Sequence, residues 1–201
     1  TAWKRMEKMY PEEIKKVKII NRYHPDAETV VAANPDLIIG WKSTFASVLK
    51  KPTAWWNERG VRTYVVSTSN HLHDKGRIED ECRYLDDMGQ IFDVREKTDR
   101  MIREIHDELS RTQKLVKGRA SQAVMVVEPE GKAFYNYDNG WVVGDMVEQL
   151  GGYMPAGERR IGCEELISYN PDVLFVVYFN EEQHLQIIEM FRHAEFSSLK
   201  S

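Results

Sequence analysis

Two glutamates stand in matched surroundings. "ETVVAANPDLIIG" begins at Glu28 and "EELISYNPDVLFVV" begins at Glu164. Each Glu lies seven residues before a proline, Pro35 or Pro171, set inside Asn-Pro-Asp, and an apolar run follows. A single Glu in the first turn of a helix is ordinary, because the helix dipole favours an acid there. The repetition is what calls for a reason. One reading is that helix–Asn-Pro-Asp–strand is a common α/β connection with a routine first-turn acid; the other is that two matched lobes present the acids for recognition. Two separated carboxylates suit two basic pockets on a partner with twofold symmetry.

Other reactive residue types are sparse. His71-x-His73, followed by Asp74, offers ligand atoms for a divalent cation. A metal centre needs a complete ligand set, and His24, His106, His184 and His193 are scattered elsewhere. No metal site is assigned. His106 and His184 fall in helical stretches and are expected to be solvated. Cys82 and Cys163 form no CxxC pair and are read as free, partly buried thiols. The motifs GxSxG, HExxH, GxGxxG and the phosphate-binding P-loop are all absent. Acid pairs such as Asp86-Asp87 and Glu181-Glu182 lie on polar helix faces, where solvation accounts for them.

The elements that hold these residues follow from periodicity and punctuation. "PDAETVVAAN" reads as a short helix capped by Asp26 and stopped at Asn34-Pro35, since the residue before proline avoids helical angles. "LIIG" follows as a buried strand, and "VKII" before it is also strand-like. "STFASVLKKPTAWWNERG" reads as a helix bent or broken at Pro52, and "VRTYVVS" as a strand. Helix alternating with strand indicates a parallel sheet. From Gly76 to Gly118 the pattern is helical, with a break suggested at Gly89 and Asp93. Val94, Met101, Ile105, Leu109 and Val116 then form one apolar stripe. A helix over 94–117 would span about 36 Å, enough for a strut. The alternation resumes with "QAVMVVE" (strand), "VVGDMVEQLGG" (helix), "CEELISYN" (helix), "DVLFVVY" (strand) and "EEQHLQIIEMFRHAEF" (helix). The expected fold class is α/β: two lobes with parallel sheets joined by a single long helix. The lobes are residues 1–75 and 118–201, and residues 76–117 hold the connecting helical segment.

Bulk properties narrow the function. The net charge is −4, with no basic stripe, which argues against a nucleic-acid partner. No apolar stretch approaches the ~20 residues of a membrane helix.

The phrases "AETVVAANPDLIIG", "VVGDMVEQLGGYMPAG" and "CEELISYNPDVLFVV", in that order around a long helix, resemble the periplasmic-binding-protein family that serves iron–siderophore, haem and cobalamin ABC importers. The resemblance covers nearly the whole chain. It implies a solute-binding component, not an enzyme, that captures a metal chelate and delivers it to a membrane permease dimer. Glu28 and Glu164 would be the acids that dock on permease arginines. It also implies an extracytoplasmic protein, free in the periplasm or anchored as a lipoprotein, acting as a monomer and without a resident cofactor. Family members carry further chain before the first segment here and a final strand after the last, so a fragment lacking parts of both ends is expected.

The resemblance places the ligand between the lobes, at loops that follow strands. These loops supply Trp41 and Lys42, then His71 and His73, then Tyr135, Tyr137 and Trp141, with Lys132 nearby. Aromatic side chains suit a flat or greasy chelate, and lysines suit an acidic one. An axial His to haem iron is a further option. Trp55 and Trp56 are read as packing residues. Two alternatives remain open at this point: a two-lobe α/β enzyme with its site in the same cleft, and a stand-alone haem- or corrinoid-binding surface protein.

Overall fold

The computed structural model describes residues 2–21, 24–70, 75–155, 157–179, 181–192, 196–197 and 199. The chain divides into two compact units, residues 1–70 and 71–201. The first contains α1 (Ala2–Met9), α2 (Pro11–Ile14), α3 (Ala27–Ala33), β1 (Leu37–Gly40), a π-helical turn (Thr44–Val48), α4 (Thr53–Asn57), β2 (Arg62–Val65) and α5 (Ser67–Asn70). The second contains α6 (Ile78–Ile91), α7 (Arg95–Val116), β3 (Val124–Glu130), β4 (Ala133–Asn136), α8 (Val142–Gln149), β5 (Arg160–Gly162), α9 (Cys163–Tyr169), β6 (Val173–Val176) and α10 (Glu181–Phe191).

In the first unit β1 and β2 pair in parallel, from Leu37 opposite Arg62 to Gly40 opposite Val65. Phe45, Leu49 and Trp56 form the buried centre, with Val30, Ile38 and Val65 packed on it. The helix expected across Pro52 is two pieces, and Pro52 caps the second in an extended conformation. This fits a residue that has no N–H to give to a continuing helix. "VKII" is not a strand, and Val17 and Ile20 are exposed at 54% and 56%. Its β-branched composition is strand-like, but β1 and β2 pair only with each other among the described residues, leaving it no ladder to join.

The second unit has a four-stranded sheet in the order β5-β4-β3-β6. β3 and β6 pair in parallel, as the alternation indicates. β4 and β5 add on in antiparallel fashion, so the sheet is mixed and the stretch read as a loop after β3 holds a hairpin. β3 is covered on both faces. Met125 and Val127 pack with Phe134, Ile161 and Leu166, while Val124 and Val126 pack with Val147 and Met154. A strand buried on both faces reads as a continuous apolar run, which is what "VMVV" is.

The long helix α7 has 22 residues, about 33 Å at 1.5 Å each. It packs along α6 as a helical hairpin within the second unit. α6 runs through Gly89, and the break falls at Asp93, which has φ of 53°. Gly89 is a packing position: a Cβ there would meet the Thr98 hydroxyl at 2.2 Å. The apolar stripe of α7 is only partly covered. Met101, Ile105 and Leu109 line an open groove of about 500 Å³ with Ile78, Met146 and Leu150.

Candidate functional site

Glu28 and Glu164 occupy corresponding places, each within its own unit. Glu28 is in the first turn of α3 and Glu164 in the first turn of α9, and both are exposed. The caps are built differently. The Asp26 carboxylate accepts from the Thr29 N–H at 2.7 Å, and that hydrogen bond holds its pKa below the ordinary carboxylate value. Gly162 has no side chain to offer, so Glu165 reaches back and accepts from the Gly162 N–H at 2.6 Å. Both routes satisfy a donor that the helix start leaves open. Both helices end at an Asn in the left-handed region, and both lead into a strand. The two acids are therefore presented by the same local device.

Trp41 and Lys42 follow β1. Trp41 is 59% exposed, and its N–H donates to the Thr44 hydroxyl at 3.0 Å. Lys42 borders a cavity of about 360 Å³ with Phe45, Lys50, Pro52 and Val65. Trp56 is fully buried, and Trp55 lies under the Arg59 guanidinium at 3.8 Å, so this pair packs as expected.

Tyr135, Tyr137 and Trp141 come together in the second unit. Their ring centroids lie 5.1 Å, 5.6 Å and 6.3 Å apart, all near edge-to-face. The cause is strand periodicity. Tyr135 and Tyr137 project to one side, while Phe134 and Asn136 are buried on the other. The turn after Tyr137 then brings Trp141 back over them. Edge-to-face pairs of this kind are worth about 0.5–1.5 kcal/mol beyond area burial.

The "VVGD" segment that follows positions Trp141. It caps α8, and Gly144 lies so close to Asn139 that a Cβ would meet its Cα at 2.7 Å. The Asp145 carboxylate accepts from the Ile78 N–H at 2.9 Å and from Gln149 at 2.8 Å. It thereby pins the start of α6 to α8.

Sequence reasoning missed Glu128. Its carboxylate accepts from the Tyr137 hydroxyl at 2.8 Å. Burial first, then that hydrogen bond, pushes Tyr137 up to about 12. Tyr137 is thus a neutral phenol at neutral pH in the ligand-free chain. The signal for Glu128 was the antiparallel register, which sets it opposite Tyr135, and no strand was expected over Ala133–Asn136. His71 and His73 lie outside the described residues. Lys132 is exposed in the β3–β4 turn. Neither Cys82 nor Cys163 forms a disulfide, and Cys163 is partly buried as read from the sequence, whereas Cys82 is buried.

Comparison with known proteins gives the family. The model of the family described as "Periplasmic binding protein" matches residues 1–200, and the chain belongs to that family. It is a family of binding proteins, not of enzymes. No curated protein matches the sequence. Among solved structures the chain is similar to a periplasmic binding protein from Veillonella parvula, with 23% identity and a TM-score of 0.77, covering 88% of this chain and 57% of that one. It is also similar to an ABC-type Fe3+-hydroxamate transport system from Saccharomonospora viridis, with 14% identity and a TM-score of 0.67, covering 96% and 71%. A third similarity is to the periplasmic catecholate-siderophore binding protein VctP from Vibrio cholerae, with 15% identity and a TM-score of 0.65, covering 89% and 64%. These likenesses establish the fold. The chain spans 57% of the length of the first of these structures and 64–71% of the other two.

Proposed function

We propose that the chain is the solute-binding part of an ABC importer and that it takes up a metal chelate of the siderophore or haem class. The observation that carries this reading is the family match over residues 1–200. The ligand class is supported by the names of the similar structures, two of which are siderophore proteins by name or hydroxamate-iron transport proteins. It is supported also by the three-ring cluster of Tyr135, Tyr137 and Trp141, which offers aromatic surface to a flat or greasy chelate. Trp41 and Lys42 are the candidate contacts in the first unit. His71 and His73 stay in the candidate set on sequence grounds. Delivery goes to a membrane permease, with Glu28 and Glu164 as its docking acids. The protein works outside the cytoplasm, as a monomer and without nucleic acid. Residues 76–117 serve as the connecting segment between lobes 1–75 and 118–201.

The test is a thermal-shift panel on the full-length protein with ferric catecholates, ferric hydroxamates and haemin. A ligand at about 100 times its Kd stabilises the native state by about 2.7 kcal/mol, which is easily read. A shift with one chelate, accompanied by quenching of tryptophan fluorescence that Trp141→Phe reduces, supports the reading. A folded protein that responds to none of them sinks the chelate assignment.

A further inference from the structure

The α6–α7 hairpin carries a second cluster of side chains, Glu79, Cys82 and His106. Glu79 and Cys82 lie three residues apart on one face of α6, and His106 meets them from α7. His106 Nε2 is 3.0 Å from Glu79 Oε1 and 3.7 Å from Cys82 Sγ. The three ligand atoms all lie within 4.8 Å of one another. We propose that Glu79, Cys82 and His106 form a binding site for a thiophilic divalent cation, zinc foremost.

The argument rests on convergence at one nitrogen. Nε2 faces both the carboxylate and the thiol, yet a neutral imidazole has either one proton or one lone pair at that atom. With a proton it serves Glu79 and leaves the thiol a bystander. A cation at the focus serves all three at once. Tetrahedral zinc, with bonds of about 2.0–2.3 Å, sets its nitrogen and oxygen ligand atoms roughly 3.3 Å apart and its nitrogen and sulfur atoms roughly 3.6 Å apart. The 3.0 Å nitrogen–oxygen separation is a few tenths of an ångström shorter than this and the 3.7 Å nitrogen–sulfur separation slightly longer, with all three atoms within 4.8 Å. The Glu79 side chain is 59% exposed and has the freedom to supply the adjustment.

The donor set is sulfur, nitrogen and oxygen, which selects a borderline-soft ion such as zinc over calcium or magnesium. The buried thiol, with Glu79 and Glu81 beside it, keeps its proton in the ion-free state. On binding, that proton leaves to solvent and the thiolate takes the metal. The hairpin is already set by the close approach of Gly89 to Thr98, so the ligands need little ordering. Three protein ligands leave a fourth position for water or an external donor.

The test is equilibrium dialysis of the reduced full chain against Zn2+, with Co2+ as the optical probe. The expected result is about one bound ion, with a tetrahedral cobalt spectrum and a thiolate-to-cobalt charge-transfer band. Changes outside the ligand shell already cost about 10–100-fold in metal affinity, so Cys82→Ser and His106→Gln should each weaken binding at least tenfold. Cys82→Ser should also abolish the charge-transfer band. If Cys82→Ser fails to fold, the exposed His106→Gln carries the test. A His71→Ala/His73→Ala variant should retain the band. No binding, or a band that survives His106→Gln and disappears in the His71→Ala/His73→Ala variant, overturns the assignment.

Discussion

Asn34 and Asn170 close their helices in the same left-handed conformation, with φ 49°, ψ 58° and φ 43°, ψ 62°. Each is followed by proline and aspartate, and each releases the chain into a strand. A left-handed residue with a Cβ costs roughly 1–2 kcal/mol unless its side chain is suited to the region, and Asn is suited. Asn34→Ala and Asn170→Ala should therefore each destabilise by about 1 kcal/mol, while the Gly variants stay near the parent or above it. Urea unfolding followed by circular dichroism reads this directly. Equal midpoints for the Ala and Gly variants would show that the conformation is not the constraint.

This pair also shows what the sequence could reveal. Asn-Pro marks a helix stop by local sterics alone, so α3–β1 and α9–β6 are legible without any tertiary information. The same holds for α7, whose ends lie next to Val94 and Lys117. Features that depend on pairing were not legible. β4 is four residues, "AFYN", and β5 only "RIG". β4 becomes a strand because Gly131 turns the chain at φ 65° and places Tyr135 opposite Glu128, and β5 because it pairs with β4. The converse is "VKII", strand-like in composition and without a partner. The aromatic cluster was half legible: Tyr135 and Tyr137 share a face by period two, but the return of Trp141 depends on the turn between them. Cys82 and His106 are 24 residues apart, and only the reversal at Asp93 brings them together.

If Glu28 and Glu164 dock a permease, charge reversal should act on transport and not on ligand binding. Glu28→Arg and Glu164→Arg are expected to keep chelate affinity within about twofold, because both side chains are exposed and surface changes are usually near neutral. Uptake by cells that rely on the full-length protein should fall at least about tenfold for the double variant, consistent with like-charge contacts costing several kcal/mol at an interface. Unimpaired uptake by a folded double variant would remove both acids from the docking surface.

The two copies of the helix–strand device differ in how deeply they are anchored. Leu166 on α9 is fully buried among Met125, Val127, Phe134 and Ile161. Val30, its counterpart on α3, is only partly buried beside Phe45, Leu49 and Trp56. Leu166→Ala should cost about 2–5 kcal/mol by leaving a cavity in a close-packed core. Val30→Ala should cost clearly less, because partial burial forfeits less transfer free energy. Denaturant midpoints measured on the same preparation compare the two. A larger loss at Val30 would mean that the first unit sets the stability of the chain.

The Tyr137 hydroxyl gives a stability change at high pH whose sign can be worked out. Its ordinary value is 10.0, and burial together with the bond to Glu128 pushes it up to about 12. Below pH 10 the phenol is neutral in both folded and unfolded chains, and its stabilising contribution is fully present. Between pH 10 and 12 the unfolded chain gives up the proton while the folded chain holds it. Unfolding therefore releases a proton in that window, and stability falls as pH rises. Tyr137→Phe removes the group and should flatten that part of the stability profile. Glu128→Gln should lower the folded value by removing the negative acceptor, and so narrow the window. The measurement is the melting temperature from pH 9 to pH 12 for the parent and both variants, with phenolate absorbance recorded alongside. Parallel profiles for the parent and Tyr137→Phe would show that Tyr137 ionises alike in the folded and unfolded chains, and that its bond to Glu128 does not hold the proton.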